Sequence, residues 1–203
     1  MPFLMVRNDI TKMSADAIVN PANQNLHEGS GTSKAIYMAA GEKKLNEACR
    51  KIGHCDLGKA VITEAFGLHA KYIIHAVGPV WDNGASGEEA LLYNAYMESL
   101  KLAAEYKCES IAFPLISSGN YGFPKEKAMK VALSAISDFL MEQDMLVYMV
   151  LYDRDSLAVS QKLFHSIEEY IDDNYVEGNN ENYEWDDYFQ YKPGQHLQVR
   201  RNR

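Results

Sequence analysis

Short apolar runs alternate along this chain with longer stretches whose apolar residues recur about every 3.6 positions. The short runs are rich in Val, Ile, Phe and Tyr and are bounded by Gly, Pro or Asn, which is typical of buried strands. They predict six strands, at Phe3–Val6, Ala17–Val19, Ala60–Glu64, Tyr72–Ala76, Ser110–Phe113 and Leu146–Leu151. The longer stretches predict four helices, at Lys34–Lys51, Glu88–Tyr106, Lys125–Leu140 and Ser156–Tyr170.

Strands that are separated by helices of this length indicate a mostly parallel sheet, because neighbouring parallel strands need a crossover connection. Such helices cover both faces of the sheet, so the predicted class is α/β with three layers. A chain of 203 residues fits one domain with an appendage. We expect the domain to span residues 1–171 and a tail to span residues 172–203.

The tail differs from the domain in composition. Between Asp172 and Tyr191 the sequence has seven acidic residues and no Lys or Arg, and it then ends in a basic segment. No apolar period continues beyond Asp172, so the tail is interpreted as a flexible acidic linker. Its aromatic residues leave a second interpretation open, in which they contact the domain or another protein region. These aromatic residues are Tyr183, Trp185, Tyr188 and Phe189.

Composition and charge narrow the classes of protein that need to be considered. The chain is 47% hydrophobic and 24% charged, and no apolar run is long enough for a membrane helix. A net charge of −8 argues against a nucleic-acid partner, because phosphate contacts normally need a basic surface. The three cysteines lack CxxC spacing, so neither a disulfide framework nor a zinc site is indicated. With no secretory signal at the N-terminus, a cytoplasmic protein is expected.

Two loops rich in small and polar residues follow predicted strands, at Asn20–Ser33 and Pro114–Pro124. Each offers unhindered backbone N–H groups ahead of a helix, an arrangement that suits phosphate, and two such loops suggest a diphosphate. The spacing fits neither the Walker motif nor the dinucleotide fingerprint. The alternative for each loop is an ordinary tight turn, with its asparagines acting as caps.

Several sequence blocks within residues 1–171 resemble those of the macro domain family and occur in the same order. The blocks are Asn8-Asp9-Ile10-Thr11, Asp16 to Asn23, Ala35 to Gly41, Ile74 to Pro79 and Phe113 to Pro124. This resemblance implies an α/β/α sandwich around a mixed six-stranded sheet. It also implies a cleft that binds ADP-ribose, either free or attached to protein or acetyl groups, with no metal or cofactor.

The resemblance assigns roles to individual residues. Asp9 would accept the adenine amino group beside Ile10, Tyr152 would stack on adenine, and Asn23 would contact the distal ribose beside Asn20. The loop from Gly29 to Ile36 and the loop from Ser117 to Gly122 would hold the phosphates, with Tyr121 over the distal part. The predicted phosphate-binding residues are Gly29, Ser30, Gly31, Thr32, Ser33, Ile36, Ser117, Ser118, Gly119, Asn120, Tyr121 and Gly122.

The sequence departs from the family at the catalytic position. Hydrolytic members carry an Asp where this chain has Ser33, and Tyr37 stands where the family often has His. The predicted catalytic residues are then Asn23, Ser33 and Tyr121. His27, Glu28 or Asp82, or the phosphate of the ligand, would replace the missing acid. His75 lies in an apolar strand and is expected to be a core residue.

Two functions follow from these residues. The first is a weak or variant hydrolase that removes ADP-ribose or acetyl groups, and the second is a non-catalytic module that recognises ADP-ribosylated protein. Binding of RNA is a third and less favoured alternative, because the net charge opposes it.

Overall fold

The computed structural model describes residues 2–164 and 167–180. Seven strands form one sheet in the order β3-β4-β2-β5-β6-β1-β7. They are β1 Phe3–Arg7, β2 Ala17–Ala22, β3 Ala60–Glu64, β4 Tyr72–Val77, β5 Ser110–Pro114, β6 Leu146–Leu151 and β7 Glu168–Glu169. All neighbouring pairs are parallel except β3 and β4, so the sheet is mixed.

Helices cover both faces of the sheet. Their bounds are α1 Thr32–Ala40, α2 Glu42–Ile52, α3 Glu88–Glu105, α4 Lys125–Glu142, α5 Arg154–Gln161 and α6 Asp173–Asn180. Successive residues of the inner strands point to opposite faces: Ile18 packs in the cluster with α1 and α2, whereas Val19 packs in the cluster with α3 and α4. The molecule is therefore the three-layer α/β/α sandwich that the sequence predicts, with one strand more than expected.

The seventh strand is a correction to the predicted count of six. β7 consists of two exposed glutamates that pair with Val6 and Arg7 of β1. A strand this short and polar has no apolar pattern, so the sequence gives no sign of it. Because β7 leaves no pattern in the sequence, the helix predicted over Ser156–Tyr170 runs through it. In the structure α5 already ends at Gln161.

The helix predicted over Lys34–Lys51 is two helices that meet at Gly41. This glycine has φ of 100°, outside the range that an α-helix allows, so α1 ends and α2 begins there. The apolar period continues across the break because both helices bury residues on the same face of the sheet, including Ile36 and Leu45.

The start of the predicted tail is ordered as α6. The division of the chain at residue 171 stays a prediction, and the four aromatic residues from Tyr183 to Phe189 lie outside the described residues. Among the residues that the structure describes, no helix has both the length and the apolar character needed to span a membrane.

Candidate functional site

A cavity of about 380 Å³ lies where the parallel strands end. Its walls come mainly from the segments after β1, β2, β5 and β6 and from the ends of the last three of these strands, together with Gly78 after β4 and Val176 of α6. The carboxyl ends of parallel strands are the usual ligand-binding edge of an open α/β sheet, because the loops to the helices converge there. The volume falls within the range of small-molecule sites.

The first loop reaches the cavity from β2 and leads into α1. The side chain of Asn23 holds the backbone of His27 at both ends, because Nδ2 donates to the carbonyl oxygen at 2.9 Å and Oδ1 accepts from the N–H at 3.1 Å. Gly31 has φ of 56° at the start of α1, a conformation that L side chains rarely adopt. The loop therefore brings the N-terminus of α1 to the cavity, where the helix dipole favours an anion.

Ser33 lines the cavity in the first turn of α1 and is only 3% exposed. Its Oγ accepts a hydrogen bond from the backbone N–H of Gly29 at 3.1 Å. The hydroxyl thus stabilises the bend of the loop, and a serine hydroxyl has no useful basicity near neutral pH.

The second loop, after β5, is held in a strained turn. Ser117 has φ of 63° although it is not a glycine, and its backbone carbonyl accepts from the N–H of Phe123 at 3.0 Å. Asn120 Nδ2 donates to Ser30 Oγ at 2.5 Å, which joins the second loop to the first across the cleft. Strained backbone of this kind is found mainly at functional sites, where the surrounding contacts hold it in place.

Gly78 is required for the close approach of β4 to this second loop. A Cβ at position 78 would lie 2.3 Å from Ser117 Oγ and 2.7 Å from Ile116 Cγ2. We therefore expect Gly78→Ala to lower the free energy of unfolding by about 1–3 kcal/mol, as overpacking does. Chemical denaturation should show this loss. Gly119→Ala is the matched control, because position 119 has open space around it and, like Gly78, no positive φ, so its free energy of unfolding should change little.

One end of the cavity combines a buried carboxylate with apolar walls. Asp9 is 4% exposed, and its Oδ1 accepts from the N–H and the hydroxyl of Thr11 at 2.9 and 2.7 Å. Ile10, Val150, Leu151 and the half-buried Tyr152 line the cavity beside it. A planar group that carries a hydrogen-bond donor fits these surroundings, because the carboxylate accepts and the apolar side chains cover the ring faces.

Lys125 and Asp153 also line the cavity, although neither is among the predicted site residues. Lys125 Nζ contacts Asp153 Oδ1 at 2.5 Å, and Asp153 caps α5 by accepting from the N–H of Ser156 at 2.8 Å. Burial alone would raise the pKa of Asp153, but the hydrogen bonds from Lys125 and Ser156 hold this pKa below its ordinary value. The sequence contains a separate sign of each: Lys125 directly follows Pro124 at a helix start, and Asp153 stands three residues before Ser156, where it can cap a helix.

Three of the predicted ligand residues do not line the cavity, while the other predicted positions do. Asn20 points to the α2 face, where its Nδ2 lies 3.1 Å from His75 Nδ1. Ile36 is fully buried in the core under α1, and Gly122 is an exposed turn residue. Alternation along β2 explains Asn20, because neighbouring strand residues face opposite ways. Ile36 lies about one turn further along α1 than Ser33, and so further from the end of the helix that reaches the cavity.

The residues that could substitute for the missing acid lie outside the lining of the cavity. His27, Glu28 and Asp82 do not line the cavity. Tyr37 is fully buried and donates to the carbonyl oxygen of Leu26 at 2.9 Å, so it is a core residue.

His75 is also a core residue, as expected from its strand. It is fully buried, and burial lowers the pKa of His75 to about 4, so the ring is neutral near pH 7. Within the described ranges 2–164 and 167–180, no three His, Cys, Asp or Glu side chains are grouped so as to hold a metal ion.

Comparison with known proteins bears on this fold and this cavity. The family model of the Macro domain matches residues 19–132. A macro domain-containing protein of Methanosarcina mazei is 47% identical over 161 residues, covering 78% of this chain and 86% of that protein. The O-acetyl-ADP-ribose deacetylase of Escherichia coli is 42% identical over 165 residues, covering 78% of this chain and 93% of the enzyme.

Solved structures agree with these sequence matches. The Oceanobacillus iheyensis macrodomain with ADP is 38% identical, with a TM-score of 0.74 over 78% of this chain and 87% of that one. The Trypanosoma brucei macrodomain in complex with ADP-ribose is 32% identical, with a TM-score of 0.73 over 79% of this chain and 68% of that one. Sequence and fold together place the chain in the macro domain family, to which it belongs.

Proposed function

We propose that this protein binds ADP-ribose and its derivatives, including mono-ADP-ribosylated protein and O-acetyl-ADP-ribose. The observation that carries the proposal is the cavity between two loops joined by Asn120 and Ser30, with Asp9 and Tyr152 at one end. A ligand that has a base at one end and phosphates in the middle matches this order of groups. Relatives solved with ADP and with ADP-ribose support the same ligand class.

The phosphates of this ligand would be held mainly by backbone N–H groups. Gly31 brings the start of α1 to the cavity, and the turn around Ser117 presents the second loop opposite to it. Lys125 is the one Lys or Arg among the described residues that line the cavity, and Asp153 already pairs with it. Backbone donors and the helix dipole therefore supply most of the attraction for the diphosphate.

Calorimetric titration with ADP-ribose tests the proposed binding. We expect a dissociation constant in the micromolar range, which corresponds to roughly −8 kcal/mol. Ribose 5-phosphate is the control ligand, because it lacks the base and the second phosphate and should bind far more weakly. Absence of any heat with ADP-ribose, from a protein shown to be folded by circular dichroism, would contradict the proposal.

We further propose that any hydrolysis by this protein is weak. The names of the deacetylase relatives favour hydrolysis of an acetyl ester, whereas Ser33 supplies no carboxylate to orient water. Asn23, Ser33 and Tyr121 line the cavity and are the groups left to act on the distal part of the ligand. The alternative is a non-catalytic reader of ADP-ribosylated protein, whose tail contacts another protein region.

Release of ADP-ribose from an auto-modified protein distinguishes these two functions. A rate above that of buffer alone supports the variant hydrolase, and binding without release supports the reader.

We also propose a cytoplasmic location, because the three cysteines are buried free thiols, as is usual in a reducing compartment.

A further inference from the structure

Helix α6, the last helix among the described residues, contacts the end of the cavity that contains Asp9. The hydroxyl of Tyr175 donates a hydrogen bond to Asp9 Oδ2 at 2.9 Å, from a position 166 residues further along the chain. The next residue, Val176, is 9% exposed and lines the cavity. Two neighbouring residues of α6 therefore belong to the surroundings of the same carboxylate.

A buried arginine holds α6 in this position. The side chain of Arg7 is 5% exposed and contacts Glu169 Oε2 at 3.1 Å and Asp173 Oδ1 at 2.5 Å. The hydrogen bond from Arg7 holds the pKa of Asp173 below its ordinary value. Asp172 caps the helix by accepting from the N–H of Tyr175 at 2.9 Å. These contacts fix the start of α6, where Tyr175 is located, against the end of β1.

The hydrogen bonds that Asp9 already accepts determine how many further donors its carboxylate can accept. Oδ1 accepts two donors from Thr11, and Oδ2 accepts the hydroxyl of Tyr175. A carboxylate has about four acceptor positions, so the contacts in place leave room for one further donor. The orientation of the carboxylate is set from both sides, by Thr11 and by Tyr175.

The cavity stays open with α6 in place. Its volume of about 380 Å³ includes the space beside Val176, and that volume suits a small ligand. The helix is thus a wall of the cavity and does not fill it.

We propose that α6 completes the nucleobase subsite, with Tyr175 as a positioning residue for Asp9 and Val176 as an apolar contact of the base. This inference rests on the proposed binding of ADP-ribose. Tyr175 holds Oδ2 so that its remaining acceptor position faces the cavity, which selects a purine with an exocyclic amino group. Val176 covers the base irrespective of its substituents, because its contact is apolar.

The test compares two ligands that differ at that amino group. In inosine diphosphate ribose a carbonyl oxygen replaces the amino group of ADP-ribose, so Asp9 has no exocyclic donor to accept. We expect Tyr175→Phe in the full chain to weaken ADP-ribose binding by about three- to tenfold, because a carboxylate that Tyr175 no longer holds accepts the amino group less well; the size is that of one typical hydrogen bond. The affinity for inosine diphosphate ribose should stay within about twofold, so the selectivity for adenine falls.

Two further variants separate positioning from general damage. Tyr170→Phe is the matched control, because its hydroxyl donates to the exposed Glu168 and it does not line the cavity, so neither affinity should change. Val176→Ala should weaken both base-containing ligands by the same factor, about two- to fivefold, since an apolar contact does not distinguish them. Thermal unfolding of each variant shows whether its fold is retained.

The outcomes separate this inference from the proposed function. If neither the wild-type protein nor the variants bind ADP-ribose, both the proposed function and the role of α6 are wrong. If ADP-ribose binds and Tyr175→Phe leaves the selectivity unchanged, only the role of Tyr175 is wrong. Tighter binding of ADP-ribose by Tyr175→Phe would also overturn the inference, because it would mean that the hydroxyl competes with the base.

Discussion

Replacing Ser33 with Asp should raise the rate of ADP-ribose release from a mono-ADP-ribosylated substrate by about 10²- to 10⁴-fold, the usual contribution of a positioned general base. Ser33 lines the cavity in the first turn of α1, so a carboxylate there would face the bound ligand. The N-terminal turn of a helix also favours an acidic side chain. An Asp can still accept the hydrogen bond that Ser33 now takes from Gly29.

Ser33→Asn is the matched control for this prediction, because it has nearly the shape of Asp but no charge and no basicity. It should bind ADP-ribose with an affinity close to that of Ser33→Asp and should not accelerate release. Single-turnover measurement of released ADP-ribose gives both rates. If the two variants release ADP-ribose equally slowly while binding it well, the protein lacks more than a carboxylate, and the reader function is favoured.

The inner strands could be predicted from the sequence because burial on both faces leaves a continuous apolar run. The bounds of the inner strand β6 agree with the prediction at both ends, at Leu146–Leu151. Those of the edge strand β3, at Ala60–Glu64, agree as well. The positions of the two loops followed from the same pattern, because each comes directly after a strand. Gly, Ser and Asn favour turns through local effects, and local effects can be seen in sequence.

Elements that depend on distant contacts could not be predicted in this way. The pairing of β7 with β1 and the attachment of α6 both involve Arg7, which is 166 residues from Asp173 along the chain. Nothing in the sequence near Asp173 indicates that partner. The break at Gly41 was missed for a different reason, since one glycine within a helical pattern costs only about 1 kcal/mol and does not by itself end a helix.

The candidate site was predicted in part for the same physical reasons. Asp9, Tyr152 and most of the two loops line the cavity, because their places after the strands bring them to one edge of the sheet. The orientation of Asn20 required knowledge of the register between β2 and β4, where it pairs with His75. Val176 reaches the cavity only through the contacts that hold α6.

Asp9→Asn should weaken ADP-ribose binding by about 10- to 100-fold, which corresponds to loss of a charge-assisted hydrogen bond in a buried place. Asn keeps the shape of Asp, and one oxygen can still accept from Thr11, so the turn after β1 should be preserved. Its amide NH₂ would then occupy the place of Oδ2, where it opposes an amino group of the ligand. Calorimetric titration measures the loss, and thermal unfolding checks the fold.

Asp155→Asn is the control that separates a hydrogen bond from general charge. Asp155 lines the same cavity but is exposed, so its removal changes the net charge by the same amount in a place where solvent screens it. We expect the affinity of this variant for ADP-ribose to stay within about threefold of the wild-type value. Equal losses for both variants would mean that the carboxylate of Asp9 makes no specific hydrogen bond to the base, which would then be recognised by the apolar walls around Tyr152.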